Sequence, residues 1–148
     1  MLSCIKTTRP LVWGVLLVLS LSACTTVPPE TANLSAEELV QRAQEASDKN
    51  RYSLALQYYE ALYEQYQSST DWVLTAEYEI AFIHYKQKKY AQAREKLQAL
   101  LARYDNPDAE LMPQQFKRLA AIVLNSIAEK EAKQRPSRAE AQTATGEG

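Results

Sequence analysis

NRYSLALQYYEALYEQY, residues 50–66, and KKYAQAREKLQALLARY, residues 88–104, decide the fold. Shifted by 38 residues, the two stretches agree at five of 17 positions: Tyr52/Tyr90, Ala55/Ala93, Ala61/Ala99, Leu62/Leu100 and Tyr66/Tyr104. In the first stretch Tyr52, Ala55, Leu56, Tyr59, Leu62, Tyr63 and Tyr66 recur at steps of three and one. That period marks one apolar stripe on an α-helix. The second stretch carries the same stripe in Tyr90, Ala93, Leu97, Leu100, Leu101 and Tyr104. Ala at the matched places lets two helix backbones approach, and the large neighbours fill the grooves. A hairpin of this kind does not bury its apolar face alone, so it stacks on the next one.

Each stretch is preceded by another helical pattern. Residues 35–49 open with Ser35-Ala36-Glu37-Glu38, the spacing of a capping box, and place Leu39, Ala43 and Ala46 on one face. Residues 71–87 place Trp72, Val73, Ala76, Ile80, Ala81, Ile83 and His84 on one broad face and Tyr78, Phe82 and Tyr85 on another. A helix apolar on two faces is expected between two neighbours. The same 38-residue shift puts Ala43 on Ala81. A fifth helix is predicted over 113–134, with Pro113 in its first turn and Phe116, Leu119, Ala120, Val123 and Ile127 as its buried face. Polar breaks at 67–71 and 105–112 separate the helices, which disfavours one long coiled coil. The expectation is an all-α fold of about five helices, paired as antiparallel hairpins in a short solenoid. Residues 135–148 contain no apolar side chain larger than Ala and are expected to be a disordered tail.

The glycine distribution points the same way. Only Gly14, Gly146 and Gly148 occur, so residues 24–145 contain none. Phosphate-cradling loops and tight two-residue β-hairpins both need glycine or its equivalent at positive φ. Their joint absence argues against a nucleotide site and against a sheet-rich domain.

The arrangement resembles the tetratricopeptide repeat, with Ala81, Tyr85, Tyr90 and Ala93 in the better copy and Ala43, Tyr52 and Ala55 in the weaker one. The resemblance covers about residues 36–104, at a spacing of 38 where that family uses about 34. It implies a protein-binding module whose partner lies along the face made by the first helices. Carried onto the better copy, that face holds Tyr78, Phe82, Tyr85 and Lys86. Core packing is the competing role for those aromatics. His84, the sole histidine, has no second histidine or free thiol to join it in a metal or nucleophile site. Glu60 and Glu64 share a helix face, where solvation explains them. No enzymatic activity and no cofactor are expected.

The N-terminus adds an address. MLSCIKTTRP carries Lys6 and Arg9, LVWGVLLVLSL (11–21) is uncharged, and Leu21-Ser22-Ala23-Cys24 follows. The run is too short to span a bilayer, which takes about 20 apolar residues, and has the layout of a secretory signal. Leu21 to Cys24 resembles the bacterial lipobox. That resemblance implies cleavage before Cys24, a diacylglycerol on its thiol and an acyl chain on its new amino group. At about 0.8 kcal/mol per buried methylene, two or three chains attach a protein firmly. The expected organisation is a signal peptide over 1–23, a lipidated tether over 24–34, a helical domain over 35–134 and the tail. The chain from Cys24 onward has 15 basic and 18 acidic residues, the wrong balance for nucleic acid. Thr25 in place of Asp implies, by resemblance to enterobacterial lipoproteins, an outer-membrane site facing the periplasm. The inner membrane and the cell surface are the other possibilities.

A lipid anchor joined to a repeat of this length is similar to the tetratricopeptide-repeat lipoprotein family of the outer-membrane β-barrel assembly machine. That likeness implies an adaptor or assembly factor whose partners are envelope proteins or peptides. A self-associating structural lipoprotein, a homo-oligomer, is the alternative.

Overall fold

A computed structural model describes the backbone of residues 30–143 and the side chains of residues 30–133. The signal peptide, Cys24 and tether residues 24–29 lie outside the described residues, as do 144–148 of the expected tail. The described chain is all-α. Its helices are α1 (Ala36–Asp48), α2 (Tyr52–Gln65), α3 (Thr70–Lys86), α4 (Tyr90–Ala102) and α5 (Gln114–Thr143), with a 3₁₀ turn at Pro107–Leu111 before α5.

α1 begins as its sequence dictates. Ser35 Oγ accepts the Glu38 N–H at 3.2 Å, and the Ser35 N–H donates to Glu38 Oε2 at 2.9 Å. Both partners of the capping box are therefore present. Ser69 precedes α3 without such a side-chain bond.

The hairpin turns close without glycine, and they close alike. After α1, Asn50 takes φ 55°. Its N–H donates to the Ser47 carbonyl at 2.9 Å, and the Arg51 N–H reaches back to the Ala46 carbonyl at 2.8 Å. After α3, Lys88 takes φ 62°. The Lys88 N–H donates to the Tyr85 carbonyl and the Lys89 N–H to the His84 carbonyl, each at 2.9 Å. This is the Schellman closure, with a left-handed residue just past the helix. It sends α2 back along α1 and α4 back along α3.

Two apolar clusters hold the hairpins. In the first, Leu39, Ala43 and Ala46 of α1 meet Ala55, Tyr59 and Leu62 of α2, and Ala76 and Ile83 of α3 close it. In the second, Leu74, Tyr78 and Ala81 of α3 meet Ala93, Leu97 and Leu100 of α4 and Phe116, Ala120, Val123 and Ile127 of α5. α3 belongs to both, which explains its two apolar faces. The four alanines at the repeat positions, Ala43, Ala55, Ala81 and Ala93, are fully buried. They are the close-contact points of the frame.

Two expectations for α5 are corrected. Leu119, expected on its buried face, is 38% exposed. The helix turns about 100° per residue, which puts Leu119 at the edge of the Phe116–Ala120–Val123 stripe. The helix also does not stop near 134, where the expected disordered tail begins. It continues through Pro136 to Thr143. Pro136 removes one backbone hydrogen bond, but Ala, Glu, Gln and Arg around it are strong helix formers. A lack of large apolar residues does not by itself deny a segment a helix.

Candidate functional site

The face expected from the α3 aromatics exists as a continuous ladder. Tyr78, Phe82 and Tyr85 sit at i, i+4 and i+7, on one side of α3. The Tyr78 and Phe82 rings stack at 5.8 Å and 11°, and those of Phe82 and Tyr85 at 5.7 Å and 21°. The ladder extends to α5 through Tyr78–Phe116 at 6.1 Å and to α4 through Tyr85–Tyr90 at 6.0 Å. Offset ring pairs at such distances add about 0.5–1.5 kcal/mol each beyond the area they bury.

The four expected contact residues have unequal access. Tyr78 is only 8% exposed, so it is a core residue and does not present its ring to a partner. It is held under Phe82 and Phe116, where the period of α3 turns it toward α5. Phe82 and Tyr85 are half-buried, with part of each ring open. Lys86 is exposed as a residue, but its ammonium is engaged. Its Nζ donates to Ser47 Oγ of α1 and lies 5.5 Å from the centroids of both the Tyr52 and Phe82 rings. Lys86 thus bridges the first hairpin to the second.

α5 supplies what the sequence does not announce. Phe116 meets Tyr78, and Lys130 Nζ lies 5.9 Å above the Tyr85 ring. These contacts set the flank of α5 that borders α3, and show that the two helices run parallel. Glu131 marks the other flank, where it pairs with Arg94 of α4. By the turn of the helix Leu119 falls about 60° and Ile122 about 120° from Phe116, toward the Lys130 flank, and they are 38% and 60% exposed. Phe82 and Tyr85 of α3 and Leu119 and Ile122 of α5 are thus large apolar side chains left wholly or partly open on these flanks. Ile122 is legible as an apolar residue off the 116–120–123–127 stripe, which is the signal that identifies it.

Behind Lys86 is a partly buried polar group. Burial raises the Glu79 carboxyl above its ordinary range, and the nearby Lys86 charge partly offsets that. The Tyr59 hydroxyl is fully buried and has no hydrogen-bond partner among the described residues. Burial, with smaller effects of Glu79 and Asp48, pushes its pKa well above the usual tyrosine value.

On the opposite side of α3, Tyr63, Glu77, Ile80, Lys96 and Ala99 line a cleft of about 260 Å³. Glu77 is held by Arg103 through a two-point contact, at 2.7 Å (Nε–Oε2) and 2.6 Å (Nη2–Oε1). His84 is half-buried. Burial lowers its pKa, and Lys96 and Lys89 lower it further. Among the described residues no three His, Cys, Asp or Glu side chains group as a metal site. No described helix is long and apolar enough to cross a membrane.

The chain is 28% identical over 122 residues to an uncharacterized protein of Treponema pallidum (strain Nichols). The match takes in 80% of this chain and 49% of that one, so the chain spans about half the length of the relative it matches. No family model matches the chain. No solved structure matches it either.

Proposed function

We propose that this protein is a lipid-anchored adaptor that binds other proteins in a bacterial envelope. The observation that carries the reading is the set of open apolar side chains Phe82, Tyr85, Leu119 and Ile122 on a frame of helical hairpins. Aromatic and aliphatic side chains that are packed from below and open above are the material of protein contacts. The lipobox-like Leu21-Ser22-Ala23-Cys24 supports a diacylglycerol and an N-acyl chain on Cys24 as the attachment. The reading places the domain in the periplasm on the outer membrane, as a tetratricopeptide-like assembly factor of an envelope complex. Barrel assembly is the leading example. It assigns no catalytic role to His84 or to the carboxylates.

The test is co-purification from crosslinked envelopes of cells carrying the full chain. The pair Phe82→Ala and Ile122→Ser is expected to lose envelope partners while circular dichroism stays helical. Retention of every partner by that variant contradicts the reading. Mass spectrometry of Cys24 checks the anchor, and an unmodified thiol there removes it.

A second reading, self-association, is favoured by the same exposed Leu119 and Ile122 on the last described helix. Light scattering separates the two. A mass that doubles with concentration and returns to the monomer in Ile122→Ser supports the self-associating form.

A further inference from the structure

The charges of the domain are sorted by edge. Lys86 of α3 joins Ser47 of α1, while Lys130 and Glu131 of α5 reach Tyr85 and Arg94. The α1–α2 turn, the α3–α4 turn and the part of α5 near residue 130 therefore share one edge. Segments 45–51, 84–95 and 129–133 on that edge hold eight Lys or Arg against five Asp or Glu. The opposite edge is set by Tyr66 Oη on the Leu34 carbonyl and Tyr104 Oη on the Pro113 carbonyl. Its segments 30–38, 60–71 and 103–118 hold three basic against nine acidic residues. Helix dipoles do not produce this contrast, because at each hairpin turn a helix C-terminus and a helix N-terminus lie side by side and cancel. The side chains alone set the sign.

One lysine stands where folding would choose otherwise. A left-handed backbone costs a non-glycine residue about 1–2 kcal/mol, and Asn tolerates it best. The first turn uses Asn50 there and the second uses Lys88, at φ 62°. Next to them Arg51 and Lys89 stand as the N-caps of α2 and α4. Neither makes a side-chain cap, and neither helix has an acid in its first turn. α1 and α3, which start on the other edge, open with Glu37, Glu38 and Asp71. Backbone strain of this sort points toward function when a better-tolerated residue was available.

We infer that the basic hairpin-tip edge, centred on Arg51, Lys88 and Lys89, docks an acidic polypeptide segment. The inference rests on the adaptor reading, and it adds the charge of the partner and a second place of contact. A bilayer is the weaker occupant. Thr31 and Leu34 are fixed to Gln65 and Tyr66, so the chain leaves the domain at the acidic edge. From Cys24 to Glu30 an extended chain reaches roughly 20 Å, whereas a helix the length of α3 is about 25 Å long. A lipid on Cys24 would hold the acidic edge toward its membrane and the basic edge away from it. The Tyr52, Tyr85 and Tyr90 rings adjoin the basic edge and suit a segment with apolar residues among its acids.

The experiment uses the full lipidated chain in neutral detergent and a fluorescent peptide of alternating glutamate and leucine. Anisotropy is expected to show binding that fades as the screening length falls from about 10 Å to about 3 Å with added salt. The variant Lys88→Asn with Lys89→Gln, whose turn gains a residue that tolerates positive φ better, is expected to bind roughly tenfold more weakly with a melting temperature no lower than the parent's. Equal affinity in the variant, or no binding by the parent chain, overturns the inference. So does variant-sensitive binding to vesicles of phosphatidylcholine and phosphatidylglycerol without peptide binding, which would assign the edge to lipid. Loss of the peptide result while the Phe82 and Ile122 envelope contacts persist removes this inference alone. Absence of envelope partners from the parent chain, or their retention in the Phe82→Ala and Ile122→Ser variant, removes the adaptor reading.

Discussion

In the first hairpin, α1 buries Ala36, Leu39, Ala43 and Ala46 and so commits one large side chain to the core. In the second, α3 buries Val73, Leu74, Tyr78, Ala81 and Ile83 and is covered from both sides. The backbone frame is the same, down to the left-handed residues Asn50 and Lys88. What differs is the number of neighbours. Among the described residues α1 sits at the end of the stack and carries only one apolar stripe. α3 lies in the middle, so its packing surface wraps most of the way round. The difference locates stability: the middle helix holds the fold, and the ring edges it leaves open form the candidate contact face.

The largest effects come from removing buried leucines. Leu97→Ala and Leu39→Ala each delete a fully buried side chain, and each is expected to cost about 2–5 kcal/mol. Their consequences should separate. Leu97→Ala is expected to lower the melting temperature of the whole domain. Leu39→Ala is expected to release α1 alone, seen as fast amide exchange confined to residues 36–48. Uniform loss of protection in Leu39→Ala would show that the hairpins do not differ in this way.

Next in size is Tyr59→Phe, which removes a buried hydroxyl that has no partner among the described residues. It is expected to stabilise the protein by about 1 kcal/mol in denaturant titration. Destabilisation by a similar amount would mean that the hydroxyl is bonded in solution, for instance to a bound water.

A comparable but more discriminating change is made at the turns. Lys88→Gly is expected to gain about 0.5–1 kcal/mol, because glycine takes φ 62° without strain. Asn50→Gly is expected to gain less. Equal gains would imply that the two left-handed residues are strained alike, and would weaken the case that Lys88 is kept for docking.

The smallest effect is a pH dependence. Burial raises the Glu79 pKa above its ordinary 4.5. A carboxyl raised in the folded state contributes stability that is complete below 4.5 and lost as pH climbs through the folded value. Glu79→Gln should therefore melt higher than the parent at neutral pH, with the gap shrinking as pH falls toward 4.5. A gap that widens on acidification would reverse the assignment.

Much of this fold is legible in the sequence, because the alanines that let the helices touch are spaced by the repeat itself. Helix ends fall within about two residues of where Ser35, the 67–71 break and the shared Tyr52/Tyr90 openings put them. The contact face is legible only in part. Tyr78, Phe82 and Tyr85 share a helical side, and nothing in their spacing says that Phe116 covers the first and spares the second. Leu119 fits the buried period of α5 by number, but its angle puts it at the rim. Lys86 reads as a surface lysine, since its partners Ser47 and Tyr52 lie 39 and 34 positions earlier. Only a folded chain brings them together. The helix beyond 134 is hidden because composition reports whether a segment has a core, not whether its backbone coils.

Site-specific photocrosslinking from position 122 tests the central claim most directly. A photoreactive residue is placed there in the full chain, in living cells, with exposed Gln98 of α4 as the control position. Discrete adducts with envelope proteins from 122, absent from 98 and reduced in Phe82→Ala, are the predicted result. Equal labelling from both positions, or adducts only with a second copy of the chain, would contradict it.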